Sequence, residues 1–229
     1  MTGPAESSAI ARTKIVMIAL GVLGLCLVPF FVKGFLIFQL TMLLCMAIAV
    51  LGLNIVVGYG GQLSIGHGAI FAIGAYAAAV PMDSFGLPWF VAVPLAAAVC
   101  FVFGLLFGWP SLRLKGHHLA LATFALALAT PQILKHRSVD SWTGGVQGVM
   151  VFMPPPPSWL PLGREGFTYA VVLLFFLVSF FAISALFRSR MGRAIVAVKE
   201  NPIAAASMGV DLTRVKLATF AISCMVTGL

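Results

Sequence analysis

The residues able to do chemistry are few. Four histidines (His67, His117, His118, His136) and six carboxylates (Glu6, Asp83, Asp140, Glu165, Glu200, Asp211) are spread over 229 residues. No metal-ligand spacing joins the two groups, so no metal site is expected. No serine or cysteine stands in a pattern with a histidine base and an orienting acid, so no nucleophilic catalysis is indicated. Gly61-x4-Gly66 resembles the opening of a phosphate-binding loop. It continues with His67 and Gly68, and the lysine that would reach the phosphates is missing. No dinucleotide fingerprint is present, and no cofactor is expected. Cys26, Cys45, Cys100 and Cys224 all lie in apolar runs without a CxxC pair. They read as small hydrophobes.

One stretch concentrates the remaining polar groups. "NIVVGYGGQLSIGHGAIFAIGAYAAA", Asn54–Ala79, sets Asn54, Gln62, Ser64 and His67 among six glycines. Two readings compete. Glycines permit close helix packing, as small residues do in membranes; Gly104 and Gly108, a GxxxG pair, read most simply that way. Alternatively, Gly58, Gly60 and Gly61 break the helix, since each costs a helix about 1 kcal/mol. Irregular backbone at membrane depth survives only when buried in protein or lining a wet cavity. Asn54, Gln62, Ser64 and His67 would then satisfy the freed backbone or border a path. Ser64 and His67, three apart, can share a face, and Ser64 can cap a helix restarting near Ile65. The expectation is a glycine-broken helix near 58–64.

The elements around this stretch are set by composition. The chain is 61% hydrophobic and 9% charged, against about 25% charged in a soluble domain. The solvent must be lipid, and a bilayer core takes about 20 apolar helical residues per crossing. Spans are expected at Ile15–Val32, Phe35–Val57, Leu63–Met82, Trp89–Trp109, His117–Leu134 and Tyr169–Phe187, and a seventh begins near Leu217. The fold class is therefore all-α: a polytopic membrane protein of six full spans plus the start of a seventh. Since the last run stops at Leu229, residues 1–229 read as a single transmembrane domain truncated at its C-terminus.

The net charge of +8 follows from topology and does not suggest nucleic acid, because no aromatics interleave the basic residues. With the N-terminus in the cytoplasm, the inside holds Arg12, Lys14, Arg113, Lys115, Arg188, Arg190, Arg193, Lys199, Arg214 and Lys216. The outside holds Lys33, Lys135, Arg137 and Arg164. This excess satisfies the positive-inside rule. Residues 135–168 are then an external loop, with a Pro154–Pro157 run expected to be extended, and residues 188–216 a cytoplasmic loop. All six carboxylates fall outside the expected spans, so no intramembrane proton relay is evident and His67 lacks an acidic partner.

The cytoplasmic loop "RSRMGRAIVAVKENPIAAASMGVDLTRVKLATFAIS" carries helix punctuation. Asn201 caps, Pro202 suits the first helical position, Gly209 stops, and Asp211 caps the next helix. A short helix flanked by basic residues suits either the membrane surface or a soluble partner.

Here a resemblance becomes specific. "GRAIVAVKENPIAAASMGVDLTRVKLATFAIS", "LNIVVGYGGQLSIGHGAIFAIGAYAAA", "LRLKGHHLALATFALA" and "WTGGVQGV" resemble, in order, segments of the larger permease subunit of branched-chain amino acid ABC importers. The resemblance covers roughly Leu40–Leu229. It implies a second permease subunit, two cytoplasmic ATPase subunits and a periplasmic solute-binding protein as partners, besides membrane lipid. ATP hydrolysis would occur on those partners. Arg193, Glu200, Asn201, Pro202, Ala204, Ala205 and Gly209 would couple to the ATPase. Relatives import branched-chain amino acids or other small polar solutes such as urea and short amides. Uncharged spans and a glycine break also suit a stand-alone channel or facilitator.

Overall fold

A computed structural model describes residues 17, 21–32, 34–111, 117–151, 156 and 163–229. Every regular element among them is helical. The helices are α1 (Gly21–Phe31), α2 (Phe35–Leu53), α3 (His67–Ser84), α4 (Trp89–Ser111), α5 (His117–Leu134), α6 (Asp140–Thr143), α7 (Arg164–Arg188), α8 (Arg190–Glu200), α9 (Pro202–Ser207) and α10 (Leu212–Thr227). A π-helical segment, Asn54–Tyr59, prolongs α2, and a 3-10 turn, Arg137–Val139, precedes α6.

Contacts divide the chain into two units, residues 1–44 with 154–175 and residues 45–153 with 176–229. In the first, Tyr169 is buried and its hydroxyl donates to the Leu25 carbonyl at 3.0 Å. The second holds every site residue considered below. Its centre is α10, which is apolar or small on nearly all sides and buried from Thr219 to Thr227 except at Ile222 and Met225. Val56, Ile70, Cys100, Phe220 and Cys224 form its core with Leu53, Val57, Ile73, Phe103 and Phe107.

Glycines let α10 approach its neighbours. A methyl on Gly104 would stand 2.8 Å from the Cα of Ala221, and one on Gly108 would stand 2.8 Å from Leu217. The GxxxG pair of α4 is thus a packing groove. Gly52 meets α10 in the same way, its missing methyl lying 2.8 Å from the Ser223 carbonyl.

Among the described residues, three helices are long and apolar enough to cross a bilayer: Phe35–Tyr59, Trp89–Pro110 and Arg164–Arg188. A fourth arises if His118–Leu134 and Arg137–Thr143, bent by 62°, count together. The six full spans expected from sequence are therefore not reproduced among the described residues. The helix that starts from the break, α3, has 18 residues, a rise of about 27 Å. The start of the first expected span and most of the proline run lie outside the described residues. Exposed large side chains on the long helices, such as Leu36, Leu43, Leu95, Leu106, Leu174 and Phe181, suit a lipid solvent or an apolar partner.

Candidate translocation and coupling site

The helix break is real but displaced from the expected position. Asn54–Tyr59 remain wound, as wider π turns, and the chain leaves the helix at Gly60. Gly58 is inside the wound segment. Gly61, at φ +64°, turns the chain in the left-handed region that favours glycine. Gln62 N–H then closes onto the Val56 carbonyl at 3.0 Å, a glycine-terminated helix end. Residues 61–66 are non-helical, and α3 starts at His67 behind Gly66 with no side-chain cap. The expected restart near Ile65 under a Ser64 cap is corrected accordingly. The reason is that the Ser64 hydroxyl is engaged with a ring nitrogen instead.

That ring belongs to His67, 7% exposed. Its Nδ1 lies 2.8 Å from Ser64 Oγ and its Nε2 lies 2.7 Å from Ser223 Oγ. Ser223 Oγ donates to the Gly52 carbonyl at 2.6 Å. A hydroxyl has one proton, so Ser223 must accept from His67 Nε2–H, and Nδ1 accepts from Ser64. The assignment follows from the hydrogen-bond partners. One neutral imidazole thereby joins the break, α3, α10 and the end of α2 with every donor used. Ser223 lies about 17 Å along α10 from Leu212.

The rest of the break is fastened too. Gln62 Nε2 donates to the Lys216 carbonyl at 3.3 Å. Ile65 N–H donates to Thr123 Oγ1 at 3.0 Å, and Thr123 passes its own proton to the Ala120 carbonyl. A side chain at Gly66 would strike the backbone of Thr123, and one at Gly60 would press on Thr219. Asn54 stands apart on an exposed face of the π segment, and the space above Gly58 is filled by its Oδ1. The structure thus gathers Ser64 and His67 with α10, ties Gln62 to it, and leaves Asn54 outside the cluster. Among the described residues no buried side-chain nitrogen or oxygen lacks a partner.

Sequence reasoning missed Thr123, Lys199, Lys216, Thr219, Ser223 and Thr227. For three of them a signal exists: Thr219, Ser223 and Thr227 recur every four residues and share one face of α10.

The segment 188–216 forms its own small core. Ser189 caps α8, whose buried side chains Ile195 and Val198 meet Ala205 of α9 and Val215 of α10. Asn201 Oδ1 accepts from Ile203 N–H at 3.1 Å and Ala204 N–H at 3.0 Å, with Pro202 at the first helical position. Gly209, at φ +82°, turns the chain, and Asp211 caps α10 while pairing with Arg214. The expected caps are all present. Arg193, Glu200, Asn201, Pro202, Ala204 and Gly209 are exposed. Ala205 is 5% exposed and packs inward, so it does not belong to an outward face as expected. Ile203 and Met208, each 85% exposed, replace it there.

Residues 35–229 match the family described as "Branched-chain amino acid transport system / permease component". The chain is 34% identical to the "High-affinity branched-chain amino acid transport system permease protein LivM" of Salmonella typhimurium and 32% identical to that of Escherichia coli strain K12. Each match extends over 98% of this chain and 58% of the relative. The chain thus spans a little over half the length of these curated relatives. No solved structure matches the chain significantly. A match over residues 35–229 leaves no doubt of kinship: the chain belongs to the family of branched-chain amino acid transport system permease components.

Proposed function

We propose that this chain is a membrane-spanning permease subunit of an ATP-driven importer of branched-chain amino acids in the bacterial inner membrane. The two relatives are named for high-affinity transport of those solutes. The chain contributes a path and its gating, not covalent chemistry. A second permease subunit, two cytoplasmic ATPase subunits and a periplasmic solute-binding protein complete the machine, and the N-terminus is cytoplasmic. Residues 135–168 face the solute-binding protein and residues 188–216 face the ATPase. The observation that carries this reading is the capped α8–α9 hairpin, built on its own core yet presenting Ile203 and Met208 outward.

Packing supports the threading. Tyr59, at the end of the π segment, stacks on Phe187 at the end of α7, with ring centroids 3.7 Å apart. The proposed threading puts both ends on the same face, and this contact fits it.

The test is uptake of labelled leucine into proteoliposomes holding the full-length protein with all partner subunits. Uptake that requires ATP, and that valine and isoleucine compete better than urea or short amides, supports the proposal. Uptake without ATP or partners would make the chain a facilitator.

A further inference from the structure

Four contacts bind the helix break to the cytoplasmic segment, and the transport reading alone does not call for them. Lys199 Nζ, on α8, donates to the Gly58 carbonyl at 2.9 Å. The stem of Lys199 crosses Gly61, where an added methyl would stand 2.9 Å from Lys199 Cγ and 3.6 Å from its Cβ. Tyr59 stacks on Phe187 just before α8 begins. Gln62 holds the Lys216 carbonyl on α10 just after the hairpin.

The chemistry at Gly58 is specific. A helix end leaves carbonyls without intrahelical donors and concentrates partial negative charge there. An ammonium is the strongest donor for such a carbonyl, and a charge-assisted bond of this kind is worth roughly twice a neutral one. On the far side of the break, His67 pins α3 to Ser223 and, through it, to Gly52. The non-helical residues 61–66 thus join two anchored ends.

We infer that Lys199 is a positioning residue for transport: it fastens the partner-facing hairpin to the π-helical end of α2, so that the hairpin and that helix end move as one body. Because α8 and α9 share a core, a push on α9 reaches Lys199 and, through Gly58, the break. This rests on the proposed role as an ATP-driven permease.

The experiment uses the complete reconstituted importer and measures solute moved per ATP hydrolysed. Lys199→Met keeps the stem and removes the ammonium. It is expected to assemble with the ATPase and hydrolyse ATP while transport per ATP falls about tenfold, the scale of one lost charged hydrogen bond. Lys199→Arg, which keeps a cationic donor, restores most of the ratio.

A second variant replaces the bond with a covalent one. The Cβ separation of 3.6 Å between positions 61 and 199 suits a disulfide. Gly61→Cys with Lys199→Cys should be uncoupled when reduced and recover transport when oxidised. A wild-type ratio in Lys199→Met overturns the inference, as does an oxidised double variant no better than the reduced one. Loss of assembly in Lys199→Met but not in Lys199→Arg also overturns it, by making Lys199 a folding determinant. If instead the wild-type complex shows no ATP-dependent uptake, the transport proposal itself has failed.

Discussion

The interior around His67 and the α8–α9 hairpin are built on opposite rules. Around His67, polar groups answer one another: Ser64, His67, Ser223 and the Gly52 carbonyl form a closed series. In the hairpin, the backbone is equally well capped, but the outer side chains are left open, with Ile203 and Met208 exposed. The contrast reflects solvent. Inside a membrane an unanswered polar group costs several kcal/mol, so a break in a helix must be closed locally. At an aqueous surface an uncovered apolar side chain is tolerable, and it becomes useful when a partner covers it.

That contrast can be broken by substitution, beginning with the largest effect. Gly52→Val drives a side chain into the backbone of Ser223 and Thr227. It should cost about 3 kcal/mol, since a packed backbone cannot yield. The loss would be seen as a lower unfolding temperature in detergent. Gly68→Ala, with nothing within 4 Å, is the matched control and should be neutral or slightly stabilising. If both behave alike, the close approach of Gly52 to α10 is not what holds this region.

Ser223→Ala removes one hydroxyl and strands both His67 Nε2–H and the Gly52 carbonyl. About 2 kcal/mol of stability should go, because two buried groups lose their partner. Binding of the ATPase to the folded fraction should not change. Asn201→Ala loses the cap of α9, worth about 1 kcal/mol. Here the ranking reverses: the global unfolding temperature should scarcely move, while ATPase co-purification weakens because α9 frays. A hairpin variant that unfolds the protein, or an interior variant that selectively loses the ATPase, would blur the division between the two regions.

How much of this was legible in the sequence differs between the same two regions. The hairpin was readable almost residue by residue, because caps and stops are local. Asn201, Pro202, Gly209 and Asp211 act within three or four positions of themselves. What failed there was Ala205, whose inward direction depends on packing against Ile195 and Val215. The interior was readable only in outline. A break was foreseen from glycine density, yet its position moved to residues 60–66 because π turns absorb Gly58. His67 was read as lacking an acidic partner, with only Ser64 near it in sequence; its second hydrogen-bond partner, Ser223, lies 156 residues away. Lys199 appeared only as one of the basic residues of the loop. Its contact with Gly58 spans 141 residues, and no local pattern encodes that. The expected spans at Phe35–Val57, Trp89–Trp109 and Tyr169–Phe187 are met by helices long and apolar enough to cross a bilayer, because long uninterrupted apolar runs are themselves a local signal.

The central claim is that the exposed face of α9 is covered by a soluble ATPase in the working complex. The most direct measurement places a photoreactive benzoylphenylalanine at Ile203 in the full-length protein, irradiates membranes expressing the whole importer, and identifies the cross-linked species. The account predicts a covalent adduct with the ATPase subunit from position 203, and from position 208 in a parallel variant, but none from the inward position 205. Adducts with lipid alone from positions 203 and 208 would contradict it, and would make α9 a helix that lies on the membrane.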